Sequence, residues 1–155
     1  MGIWKEIKYA LNSTLGTEKF KPLDNLILNN RMFVANSDFV VKNFNVNNGA
    51  IHDDVETFAQ FKSEIGGTLY LYMDCRVIGS GEKYVYLTSE NNETQTFTIP
   101  YTAGQNTYTN NWLINIRPDT KYTLQAQTTL SSASITINSA SLRGIATLGN
   151  QIEQL

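Results

Sequence analysis

The residues of this chain that could do chemistry are few and dispersed. The only histidine, His52, stands in Ile51-His52-Asp53-Asp54, where an imidazole beside two carboxylates could relay a proton or hold a metal. No second histidine exists, and the one cysteine, Cys75, stands far along the chain, so no transition-metal set is completed and a polar loop is expected. A hard cation on Asp53 and Asp54 would lack the calcium-loop spacing of alternating acids closed by a glutamate. Cys75 alternates in step with Leu71, Met73 and Val77, which makes it a buried, inert thiol rather than a nucleophile. Gly79-Ser80-Gly81-Glu82-Lys83 has neither the full phosphate-loop spacing nor the Ser or Thr after its lysine, and it joins two strands. Glu90 and Glu93 fall in an Asn-rich loop, where a carboxylate pair would be solvated, and no serine sits in a nucleophile-elbow pattern. The expectation is no catalytic residue, no cofactor and no metal.

The tyrosines offer binding chemistry instead. Tyr70 and Tyr72 fall on the opposite parity from Leu69, Leu71 and Met73, and Tyr84 and Tyr86 on the opposite parity from Val85 and Leu87. If Gly79-Ser80-Gly81-Glu82 closes a hairpin with a three-residue turn, residues whose numbers sum to about 160 are paired, and all four tyrosines share one outward face; a slip of one separates them. Such a face could stack on sugar rings or be covered by another sheet or subunit.

The elements that would position these rings are strands. From about residue 31 the chain alternates in twos between Asn, Gly and Ser clusters, the pattern of an antiparallel β-sandwich or barrel. Strands are expected at Phe44–Val46, Thr68–Ile78, Tyr84–Thr88, Thr96–Tyr101, Trp112–Arg117, Tyr122–Thr128 and Ser134–Leu142. Val34 and the segment 55–61 would bring the total to seven to nine. In that segment Val55, Phe58 and Phe61 recur in threes and fit a helical turn as well as a strand. Asn and Thr number 17 each, beside 8 Tyr and 7 Phe, which supplies the turn and strand formers that such a fold consumes.

Both ends read differently from the middle. Ile3, Trp4, Ile7, Ala10 and Leu11 recur at i, i+3, i+4, i+7, the stripe of an amphipathic helix, and Leu23, Leu26, Ile27 and Leu28 follow Pro22. Residues 1–30 are therefore expected to be a short helical docking arm, with Ile3, Trp4, Ile7 and Leu11 as its contact stripe, since a helix so short needs something to pack against. Residues 31–147 would be the sandwich. At the other end Ile145, Leu148, Ile152 and Leu155 are spaced 3-4-3 like a coiled-coil seam, and 148–155 are expected to leave the sandwich as a tail ordered only against a neighbour.

A net charge of −2 and a pI near 5.3 argue against nucleic-acid binding, which needs a concentrated basic face. One cysteine cannot form an internal disulfide, consistent with assembly in a reducing cytoplasm. No run of about 18 apolar residues suggests a membrane span, and the start lacks the pattern of a secretory signal. The sequons Asn12-Ser13-Thr14 and Asn92-Glu93-Thr94 then carry no consequence.

The segment from Met1 to Thr17, MGIWKEIKYALNSTLGT, followed by Phe20-Lys21-Pro22-Leu23-Asp24, resembles an N-terminal segment of structural proteins from clostridial-type phages and prophages. The rest of the chain is similar to small β-sandwich tail proteins, with Gly67-Thr68-Leu69 starting one strand and Ile137-Asn138-Ser139 to Leu142-Arg143-Gly144 closing another. The resemblance implies a jelly-roll-like sandwich behind a docking arm and no catalytic residues. It also implies a place in a virion tail, baseplate or tail-fibre attachment, assembled in the host cytoplasm with other tail proteins. Tail symmetry favours a homo-oligomer, trimer or hexamer. The alternative reading is a receptor- or glycan-binding module at the tail tip, acting through Tyr70, Tyr72, Tyr84 and Tyr86.

Overall fold

A computed structural model describes residues 40–144 and 152–155. The expected arm, with Ile3, Trp4, Ile7 and Leu11, lies outside the described residues, as do Val34, Ile145 and Leu148. Among the described residues there is no helix. The described residues form ten strands divided between two antiparallel sheets: β1 (Val40–Phe44), β2 (Ala50–Ile51), β3 (Glu56–Ser63), β4 (Gly67–Ile78), β5 (Lys83–Ser89), β6 (Thr94–Thr98), β7 (Thr107–Ile116), β8 (Thr120–Thr128), β9 (Ser134–Arg143) and β10 (Ile152–Gln154). The first sheet runs β1-β9-β4-β7 with β2 also on β9, and the second runs β10-β3-β8-β5-β6.

Strict alternation builds the core. On β4, Leu69, Leu71, Met73, Cys75 and Val77 are each at most 2% exposed. Val85 and Leu87 of β5 and Leu124 and Ala126 of β8 face them from the second sheet, fully buried. Phe61 joins the layers, its ring 5.5 Å from Phe44 of the first sheet and 5.2 Å from Tyr122 of its own. Burying side chains of this size contributes about 1.5–3 kcal/mol each before chain entropy is set against it.

The ambiguous segment around Phe58 is a strand, and its spacing in threes has a definite origin. The β3–β8 register shifts between Thr57 and Ala59. The irregularity places Phe58 and Ala59 both inward, so Phe58 and Phe61 recur three apart while still facing the core. Val55 lies outside the strand and is 48% exposed.

Three expectations are corrected. Ten described strands exceed the seven to nine anticipated, because the short β2 and β10 carry too few residues to show a pattern. The 148–155 tail does not leave the sandwich at its far end: Ile152–Gln154 pair with Ser63–Phe61 on β3, and Ile152 is 2% exposed. Its 3-4-3 spacing mimics a seam over a stretch too short to separate period 3.5 from period 2. Finally, Gly79–Glu82 do not close a hairpin, for β4 and β5 lie in different sheets.

Lys83 fastens the crossing loop. It occupies an inward position on β5, and its ammonium donates to the carbonyls of Gly79 at 2.8 Å and Gly81 at 2.6 Å. The Tyr101 ring lies 4.3 Å from the same nitrogen. Both glycines adopt left-handed φ, +79° and +97°, so the loop curls around the charge. The strand that leaves it joins β8 and β6.

The two sheets also meet at their edges through side chains. Gln95 of β6 contacts the main chain of Asn115 on β7, and Gln154 of β10 contacts that of Asn45 just beyond β1. Phe97 stacks on Trp112 beside the first of these, with centroids 5.3 Å apart.

Candidate functional site

Because β4 and β5 part company, the four tyrosines form two faces on opposite sides of the sandwich. On the first sheet Tyr70 stands between Arg143 and Leu113, and Tyr72 between Ser141 and Asn111. The guanidinium of Arg143 lies 3.5 Å from the centre of the Tyr72 ring and also donates to Ser141 Oγ at 3.3 Å. A ring capped by a cation is a poor platform for a second partner. Asp74 and Arg76 continue this face, so it is charged as well as occluded.

The face on the second sheet is different. Here Tyr84 stands between Thr98 and Gln127, Tyr86 between Thr96 and Gln125, and Thr88 between Thr94 and Thr123. The Tyr84 and Tyr86 rings are stacked side by side, centroids 6.1 Å apart and planes inclined by 28°. Tyr86 donates its hydroxyl to Gln127 Oε1 at 3.2 Å, and Gln127 Nε2 donates to the Asp53 carbonyl at 2.6 Å, which pins both side chains. Tyr84 donates to Glu82, and that bond pushes its phenol above the ordinary range by keeping the proton on oxygen. The side chains of Thr96, Thr98 and Gln125 make no hydrogen bond to another described residue and remain open to a ligand.

Alternation explains this face. β6 is Thr94-Gln95-Thr96-Phe97-Thr98, whose threonines point out while Gln95 and Phe97 turn to the sandwich edge. On β8, Gln125 and Gln127 alternate with buried Leu124 and Ala126. The tyrosines were visible in the residue order, but the threonines and glutamines beside them were not assigned to the site. The Thr-x-Thr-x-Thr run was the available signal, and only the strand pairing sets it next to Tyr84 and Tyr86.

A cleft of about 240 Å³ opens at the β6/β7 edge, lined by Ser89, Glu93, Gln95, Asn115, Arg117 and Tyr122 among others. Its charges are spent on each other, with Arg117 and Glu93 2.8 Å apart. Its one ring, Tyr122, is 4% exposed and accepts a bond from the Arg117 amide at 2.6 Å, so the cleft offers no aromatic surface.

The residues considered for catalysis are not brought together. His52 Nδ1 lies 2.8 Å from the Ala133 carbonyl, so that nitrogen carries the proton, and the ring serves to tie two loops. Cys75 is buried, with the Asn110 amide 3.9 Å from its sulfur, and burial with the neighbouring Asp74 charge pushes its thiol up to about 12. Among the described residues no three His, Cys, Asp or Glu side chains cluster as a metal site.

No family model matches the chain, and no curated protein matches it. Among solved structures it is similar to a family 35 carbohydrate binding module from an environmental isolate, at 15% identity over 73% of this chain and 77% of that one, with a TM-score of 0.47. It is also similar to the CBM35 from Cellvibrio japonicus Abf62, at 17% identity over 66% and 72%, again with a TM-score of 0.47. Likeness at this level transfers no residue and no ligand to this chain.

Proposed function

We propose that this protein is a non-enzymatic binding module that holds a glycan on the Tyr84–Tyr86 face of its second sheet. The observation that carries the reading is the pairing of two adjacent stacked rings with hydroxyls on one side and amides on the other. Sugars present just those two surfaces, a weakly polar ring face and a rim of hydroxyls. The pinned Tyr86–Gln127–Asp53 chain lowers the ordering cost of binding. Tyr70 and Tyr72, on the other side and partly capped by Arg143, are not assigned to this site.

The module's setting is the virion tail, where the N-terminal segment that resembles phage structural proteins would anchor it through Ile3, Trp4, Ile7 and Leu11. That reading makes the glycan a host-surface receptor. Mass spectrometry of purified particles should find the protein, and Trp4→Ala should remove it from them while leaving its thermal transition in place.

Glycan-array binding by the full chain tests the site directly. Tyr84→Ala and Tyr86→Ala should each weaken the captured glycan at least ten-fold, about 1.4 kcal/mol, whereas Tyr72→Ala should change it less than two-fold. Binding that survives both sheet-two substitutions, or an array with no binder at all, overturns the assignment.

A further inference from the structure

The same face narrows the class of ligand, an inference that rests on the glycan-binding reading. Around the two rings the adjacent strands β6, β5 and β8 contribute only tyrosine, threonine and glutamine to the outer surface: β6 three threonines, β5 two tyrosines and a threonine, and β8 Thr123, Gln125 and Gln127. No lysine or arginine stands among them. The nearest charge beyond Tyr84 is Glu82, already engaged by the Tyr84 hydroxyl, and on β8 the next outward residue past Thr123 is Lys121, beyond the tyrosines. An anionic sugar laid on this surface would surrender water to groups that carry no compensating positive charge, and would meet the Glu82 carboxylate at one end. A neutral sugar has no such cost.

Shape points the same way. Tyr84 and Tyr86 are two residues apart on one strand, so they form a stripe along β5, about 7 Å per step of two residues. Polar groups border the stripe on both sides along its length, the β6 threonines on one and the β8 glutamines and Thr123 on the other. Such a surface reads the side of a chain and not its terminus.

We infer that the ligand is an uncharged polysaccharide lying along β5, with successive sugar rings over Tyr86 and Tyr84 and their hydroxyls between the β6 threonines and the β8 glutamines. Recognition then depends on chain length and hardly on ionic strength, because no ion pair is made.

Calorimetry of the 155-residue chain with neutral oligomers of glucose and of N-acetylglucosamine, one to six units long, and with galacturonic-acid oligomers of the same lengths tests this, together with the best binder from the array. Affinity for a neutral oligomer should rise at least ten-fold from one unit to four, change less than two-fold between 50 and 500 mM salt, and fall at least ten-fold in Gln125→Ala combined with Thr96→Ala. The folded state of each variant is checked by its melting transition. Tighter binding of an acidic glycan that still requires Tyr86 would overturn the neutral-chain inference and leave the glycan site standing, as would a monosaccharide bound as well as a tetramer. Binding that ignores Tyr84 and Tyr86 altogether, or no binding by any of these glycans, removes the site itself and the inference with it.

Discussion

Gln95 uses both arms of its side-chain amide on the main chain of Asn115: Nε2 donates to the Asn115 carbonyl at 2.6 Å, and Oε1 accepts from the Asn115 amide at 2.9 Å. The pair imitates one rung of a sheet between β6 and β7, strands that belong to different sheets. Gln154 does the same to Asn45 at the other margin, with both distances 2.9 Å. Sheet edges carry unpaired peptide groups that invite foreign strands, and each clamp satisfies a pair of them with a side chain from the opposite layer.

Gln95→Ala and Gln154→Ala should each destabilise the fold by about 1–2 kcal/mol, since each removes two modest hydrogen bonds. The residues lie on the outermost strands of the second sheet, four strand spacings or about 19 Å apart, so the double variant should lose the sum. Gln95→Glu keeps the acceptor but turns a carboxylate oxygen toward the Asn115 carbonyl, and should be no better than alanine. Urea midpoints measure all of these; wild-type midpoints in the single variants would show that the clamps contribute nothing.

Ile152 makes the C-terminal residues part of the core. Its replacement by alanine should cost about 2–4 kcal/mol, and removing residues 152–155 should cost more, because β10 and the Gln154 clamp go together. Differential scanning calorimetry should show a clear fall in Tm for both. An unchanged Tm after truncation would mean that the segment is only a tail.

Lys83 is a buried cation held by loop carbonyls, and burial pulls its ammonium below the ordinary lysine range. Lys83→Met retains the stem but leaves the Gly79 and Gly81 carbonyls without their donor, for an expected loss of about 1–3 kcal/mol. Amide exchange in residues 79–82 should accelerate in that variant. Unaltered exchange and stability would mean that the two glycines alone set the loop.

Cys75 should not react with a thiol reagent at pH 8 while the protein is folded, and should react at once in denaturant. Its folded value of about 12 lies above the ordinary 9, so folding favours the protonated thiol. That contribution is fully present below pH 9 and is lost as pH rises toward 12, where the unfolded chain gains by ionising first. Stability that is flat from pH 8 to 11 in wild type and Cys75→Ala alike would exclude the effect.

From residue order alone one can read that this chain is mainly β, that Leu69, Leu71, Met73, Cys75 and Val77 face inward, and that Tyr70, Tyr72, Tyr84 and Tyr86 face outward. Period-two alternation carries this, because successive side chains of a strand must point to opposite sides. Residue counts also show that chemistry needing a second histidine or a paired thiol within this chain cannot be assembled from its one of each. Alternation is silent, however, about which sheet a strand joins. Val77 and Lys83 point inward whether the loop between them closes a hairpin or crosses the sandwich, and the choice falls to contacts distant in sequence: β4 with β7 and β9, β5 with β6 and β8. The same long-range pairing sets Thr96, Thr98, Gln125 and Gln127 beside two tyrosines and Arg143 over a third. Local pattern records only inside and outside, whereas the partner across a sheet is decided by where the whole chain buries its apolar surface at least cost in unpaired peptide groups.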